Sequence, residues 1–131
     1  MDIDLLRKIH VFASLTDEQL GRLATYATQF SVAAGEVLMS EHDYAYDVIA
    51  IETGTAEVRR RGRAVATVGP GELVGEAGTL GAQLRSASVV ATSPMRLIRL
   101  SRWDVRRLAR IAPEALDQMH ALAASRGIQV G

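Results

Sequence analysis

Residues 47–76 read DVIAIETGTAEVRRRGRAVATVGPGELVGE. Short aliphatic and β-branched runs, VIAI, AEV and AVATV, are cut by Thr53-Gly54, Arg61-Gly62 and Gly69-Pro70-Gly71. Runs this short, punctuated by glycine and proline, suit strands and tight turns better than helix. The stretch therefore predicts at least three strands. Working outward, FSVAAGEVLMS upstream adds short β-type runs on either side of Ala34-Gly35. Downstream, SASVVATSPMRLIRLS adds two more, divided at Ser93-Pro94. About eight short strands at this spacing predict a β-roll of the sandwich or jelly-roll type.

Both ends of the chain change to a helical period. LLRKIHVF places Leu5, Leu6, Ile9 and Phe12 at helix-like intervals. Thr16 with Gln19 three residues later forms a capping-box pattern ahead of Leu20, Leu23 and Ala27. Beyond the strands, Ser101 is placed to cap RWDVRRLARI, and Pro113 to open PEALDQMHALAASR, with Gly127 as its stop. The expected architecture is α+β, an antiparallel β-roll flanked by helices in a single domain over residues 1–131. N-terminal helices occupy 1–28, the roll 29–101 and C-terminal helices 102–127.

Composition narrows the function. Apolar residues make up 48% of the 131-residue chain, enough for a core and too many for disorder. No apolar run approaches the roughly 20 residues that span a bilayer, and MDIDLLRKIH lacks the order of a signal peptide. With no cysteine, disulfides and thiolate metal sites are excluded, and a cytoplasmic location is expected. Net charge is zero, so no global field draws in nucleic acid. The distribution is nonetheless uneven: residues 1–55 hold nine acids and three bases, residues 56–131 six acids and twelve bases. His10, His42 and His120 are scattered, which argues against a metal-binding jelly roll. Ser86 has no candidate base nearby in sequence, so catalysis is not expected. Arg59–Arg63 and the i, i+4 series Arg102, Arg106, Arg110 suit solvated faces better than a nucleic-acid surface.

The segment after the third run, VGEAGTLGAQLRSASVVA (Val74–Ala91), combines glycines, one acid and one arginine nine residues further on. In this order of elements it resembles the phosphate-binding cassette of cyclic nucleotide-binding domains. That family is shared by catabolite activator proteins, cyclic-nucleotide-dependent kinase regulatory subunits and gated channels. The resemblance extends to LLRKIHVFASLTDEQLGRLA and AAGEVLM, and so to nearly the whole chain. It implies a sensor that binds a cyclic nucleotide, cyclic AMP ahead of cyclic GMP, without turning it over, through a cassette over residues 74–89. It further implies no cofactor, and an effector domain or partner protein that receives the signal. The helix-turn-helix of the family's transcription factors has no room before Gly131, so direct DNA contact is not expected. A family member that keeps the fold only for protein contact is the alternative.

The residue types fit that implication. Gly75 and Gly78 have no Cβ, so backbone N–H groups can approach an anion. A short helical turn over Glu76–Leu80 would aim its amino end, with Ala77 and Gly78, at the phosphate. Arg85 can give a bidentate, charge-assisted hydrogen bond to the exocyclic oxygens. Glu76 would repel a phosphate but suits the ribose 2′-hydroxyl as an acceptor. A structural Glu76–Arg85 ion pair is the plainer reading. Ser86 either bonds locally or reaches a phosphate oxygen or a guanine. Met119 and Leu122 are lid candidates, with Trp103 further back, each competing with a role in the core.

The departures from the family pattern fall in two places. Ala77-Gly78 replaces the usual Leu-Ala, and Leu84 the usual proline. Ala45-Tyr46 stands where Gly-Asp is frequent, and His42 where a glycine is common. That second turn is expected to lie away from the phosphate.

Overall fold

The computed structural model describes residues 1–82 and 84–130; Gln83, inside the expected cassette, and Gly131 lie outside the described residues. The order of elements is α1 (Ile3–Arg7), a 3₁₀ turn (His10–Phe12), α2 (Asp17–Ala24), eight strands, then α3 (Arg102–Ile111) and α4 (Pro113–Val130). The strands are β1 (Thr28–Val32), β2 (Val37–Met39), β3 (Asp47–Thr53), β4 (Ala56–Arg60), β5 (Arg63–Val68), β6 (Leu73–Val74), β7 (Ser88–Ala91) and β8 (Met95–Ser101). They form two four-stranded antiparallel sheets, ordered β1-β8-β3-β6 and β2-β7-β4-β5.

The period of two along a strand explains why the middle of β3, Val48–Ile51, is continuously apolar. Val48 and Ala50 point to one face and join the helices in a first core cluster. Ile49 and Ile51 point to the other and join the second sheet in a separate cluster. Strand β8 divides the same way, Ile98 and Leu100 toward the helices and Met95 and Leu97 toward the opposite sheet. Where both faces of a strand are covered it reads as a continuous hydrophobic run, as at Val48–Ile51, whereas β8 keeps exposed Arg96 and Arg99 between its buried residues.

The predicted hairpin turn and N-terminal caps form. Arg61 and Gly62 both take positive φ, 51° and 77°, the backbone that a tight hairpin between β4 and β5 requires. Thr16 and Ser101 each close a full capping box, with Gln19 and Asp104 respectively. Pro113 opens α4 as expected.

Two boundaries differ. LLRKIHVF is not one helix: Ile9 is extended (ψ 127°), and a 3₁₀ turn follows. The break lets Leu6, Ile9 and Phe12, each at most 1% exposed, all enter one core. Gly127 does not stop α4, which continues to Val130. A glycine near a helix end costs only about 1 kcal/mol relative to alanine and does not by itself terminate it.

The helices close around the junction of α3 and α4. Gln19 of α2 donates through Nε2 to the Ile111 carbonyl (3.2 Å) and to Glu114 Oε1 (2.6 Å). Ala112, Ala115 and Met119 are fully buried beside Leu6 and Phe12 in the first cluster. The junction is thus fixed to the N-terminal helices, and α4 runs from it toward the roll.

Candidate functional site

Between β6 and β7 the chain leaves the sheets and forms one wall of a cavity of about 480 Å³. Its apolar sides come from Met39, Val58, Val65, Val68 and Val89; its polar end is formed by the segment that follows β6. Gly75, Glu76, Ala77, Gly78, Arg85 and Ser86 all line it. Six residues chosen from sequence pattern therefore meet in one place.

Gly75 makes the sharp exit from β6. Its φ is +88°, and a Cβ there would stand 2.3 Å from Arg85 Nη1 and 3.2 Å from the Asp47 carbonyl oxygen. Only glycine accommodates both the backbone and the guanidinium. Helical backbone begins at Glu76 and widens into a π-type turn over Gly78–Ala82. Such turns are rare and are frequent at functional sites. Gly78 also lacks room for a Cβ, which would lie 2.8 Å from Ala45 Cβ.

Arg85 is 5% exposed. Its Nη1 donates to the Gly75 carbonyl (3.0 Å), and its Nη2 to the Asp47 carbonyl (2.8 Å) and to Asp47 Oδ1 (2.6 Å). Burial pulls the guanidinium pKa down, and the Asp47 charge opposes that pull. Asp47 in turn holds Arg99 Nε at 2.9 Å through its other oxygen. The Thr79 hydroxyl donates to the same Asp47 carbonyl (2.8 Å), so β3 ties together the arginine and the turn.

Glu76 is 1% exposed and pairs with Arg126 of α4, whose Nη1 lies 2.9 Å from Oε1 and 3.0 Å from Oε2. Arg126 also donates to the Leu73 carbonyl. Burial raises the Glu76 pKa above the ordinary carboxylate value, and the Arg126 charge only partly offsets it. The expected alternative, a direct Glu76–Arg85 ion pair, does not form: each has a different partner.

The lid expectations are corrected. Met119 is fully buried in the helical core, and Leu122 packs against the same cluster; neither lines the cavity. Trp103 is 65% exposed and carries Arg106 over its ring (4.8 Å to the centroid), also outside the cavity. Among the described residues of α4, Arg126 lines it. The turn before β3 is corrected too. It does not lie apart from the cassette: Arg85 N donates to the Asp43 carbonyl (2.7 Å), and His42 N to the Arg85 carbonyl (2.9 Å). Asp47 and Arg126 were not foreseen. Asp47 carried one signal, an acid directly ahead of the apolar run Val48–Ile51; Arg126 carried none.

Comparison with known proteins places the chain. The sequence model of the cyclic nucleotide-binding domain matches residues 29–111. The Pycsar effector protein PaPycTIR of Pseudomonas aeruginosa is 35% identical over 99 residues, covering 75% of this chain and 32% of that protein. The chain thus spans about a third of that relative's length. The Thermus thermophilus catabolite activator protein superposes with a TM-score of 0.78 at 29% identity, over 88% of this chain and 57% of that one. The regulatory domain of Toxoplasma gondii PKA, co-crystallised with cAMP, superposes with a TM-score of 0.72 at 26% identity, over 79% and 41% of the two chains. The chain belongs to the cyclic nucleotide-binding domain family.

Proposed function

We propose that this regulatory domain holds a cyclic nucleotide, cyclic AMP ahead of cyclic GMP, in the cavity beside Glu76 and Arg85 and leaves it chemically unchanged. The observation that carries the reading is the burial of a cation, Arg85, and an acid, Glu76, at one end of a cavity whose sides include Met39, Val58, Val65, Val68 and Val89. Arg85 and the amides of Ala77 and Gly78 take the cyclic phosphate. Glu76 accepts from the ribose 2′-hydroxyl, and Ser86 sits on the rim within the same lining. The base rests against Val58, Val65 and Met39. The Toxoplasma domain co-crystallised with cAMP supports the choice of ligand.

Binding is read out through α3 and α4. Glu76 is already wired to Arg126, so a hydroxyl arriving at Glu76 competes with or joins that ion pair and alters the hold on α4. A downstream effector domain or partner protein then senses the helix. Ligand binding should slow amide exchange in Pro113–Arg126 as well as in the cassette. Exchange that changes in the cassette alone would remove α4 from the signal path.

One observation favours a second reading, in which the domain serves protein contact alone: both site charges have internal partners, Asp47 and Arg126. Calorimetric titration with cyclic AMP and cyclic GMP separates the two. Saturable heat that disappears in Arg85→Ala supports the sensor; no heat with either nucleotide supports the contact module. Chromatography of the recovered nucleotide after long incubation tests whether it is left intact.

A further inference from the structure

The helical turn that lines the nucleotide cavity with its first residues lines another with its last. This second cavity, about 310 Å³, lies between Thr79–Gly81, α3 and α4. Its charged and titratable lining is Arg102, Arg106 and His120, and no acid contributes to it. The acids nearest in sequence are engaged or turned outward. Asp104 closes the α3 capping box and bonds Arg107, while Asp117 is exposed.

Arg102 is the unusual member. Its Nε is buried without a hydrogen-bond partner, the only such side-chain nitrogen or oxygen among the described residues. Its backbone N–H is held by the Tyr46 carbonyl (2.8 Å), which fixes where the side chain starts. Its charge is felt at Arg85, where it helps to lower the guanidinium pKa after burial. A buried donor on a cation, lacking any acceptor, on a residue that shares a cavity wall with Arg106 and His120, is a state that an incoming oxyanion relieves.

We propose that this cavity is a second binding site, for a phosphate group carried by free phosphate or by a small phosphomonoester. Arg102 and Arg106 supply planar guanidinium forks, whose geometry matches phosphate oxygens in bidentate contact. Two guanidinium charges balance a phosphate dianion, and the apolar lining of Leu80, Val105 and Leu116 leaves room for a small organic part. The site does not depend on the nucleotide reading, because Arg85 and Glu76 do not line it.

The test follows the arginine Nε–Hε signals of the full chain by ¹⁵N NMR during titration with inorganic phosphate at constant ionic strength. The Arg102 signal, assigned by its loss in Arg102→Lys, should shift saturably, and should still do so in Arg85→Ala. Arg106→Gln, a change at an exposed position, should weaken phosphate binding about tenfold, as expected for losing a hydrogen bond to a charged group. Repeating the titration with ribose 5-phosphate in Arg85→Ala distinguishes the sources. Tighter binding assigns a phosphomonoester, and equal binding the free ion. The proposal is overturned if Arg102 does not respond, if chloride reproduces the shift, or if only Arg85 moves.

Discussion

Arg85 and Glu76 face the same cavity but are held by different parts of the molecule. Arg85 is fastened to Asp47, at the start of a strand paired on both sides within its sheet. Glu76 is fastened to Arg126, far along a helix that leaves the α3–α4 junction. The cation's position is therefore set by the frame of the roll, whereas the acid's position is coupled to a terminal element. One end of the site is held by a sheet, and the other is tied to a helix. A sheet resists displacement because every strand shares its hydrogen bonds, while a terminal helix answers to fewer contacts.

The hardest blow to the sheet-held end is Arg85→Ala. It should cost about 2–5 kcal/mol of nucleotide binding, as when one member of a buried charge pair is lost. Calorimetry giving parental affinity for that variant would dissolve the distinction between the two ends.

Next in size, Asp47→Ala should destabilise the fold by about 2–3 kcal/mol in urea unfolding, because it leaves a buried guanidinium unpaired. Arg126→Ala should cost less, about 1–2 kcal/mol, because the buried Glu76 it leaves behind can take up a proton, a route closed to the guanidinium of Arg85. Equal costs for the two would mean that α4 is as much a part of the frame as β3.

The acid end also predicts a pH dependence. The folded pKa of Glu76 is raised above 4.5, so the folded state binds that proton more tightly than the unfolded chain. The resulting contribution to stability is full below 4.5 and is lost as pH rises through the folded value. Glu76→Gln cannot ionise, so its stability should lack this decline in matched unfolding curves taken from acid toward neutral pH. Parallel curves for the two proteins would show that the Arg126 pairing cancels the effect of burial.

The smallest expected effect concerns the turn behind Arg85. His42 has φ 74°, a backbone that costs a non-glycine residue about 1 kcal/mol. His42→Gly should raise the unfolding midpoint slightly and leave the charges of the site in place. A lower midpoint would show that the imidazole contributes a contact that outweighs the strain.

Much of the site was legible because its logic is local. Gly75, Glu76, Ala77 and Gly78 are neighbours in sequence, and Arg85 and Ser86 stand at the far end of the same excursion between β6 and β7. A glycine exit and an acid at the start of a helical turn require nothing beyond the segment itself. The caps at Thr16 and Ser101 were readable for the same reason, as each joins residues three apart. The choice between lid and core stayed open for Met119 and Leu122 because helical periodicity marks which residues of α4 are apolar, not which surface they meet. Met119 went to the N-terminal helices, and a charged residue later in the helix reached the cavity.

The sequence by itself determined the strands, turns and capped helices, because period, glycine placement and capping residues act over a few bonds. It also placed a glycine-rich turn with an acid and an arginine between two strands, since the residues that form it are contiguous or nearly so. Only the tertiary structure decided the partners of the two charges. Asp47 meets Arg85 across 38 residues and Arg126 meets Glu76 across 50. Those meetings depend on how the sheets twist and where α4 is launched, and the packing of the whole core fixes both. For the same reason, no motif announces the orphaned Arg102 behind the turn, since its isolation exists only once the helices have packed around it.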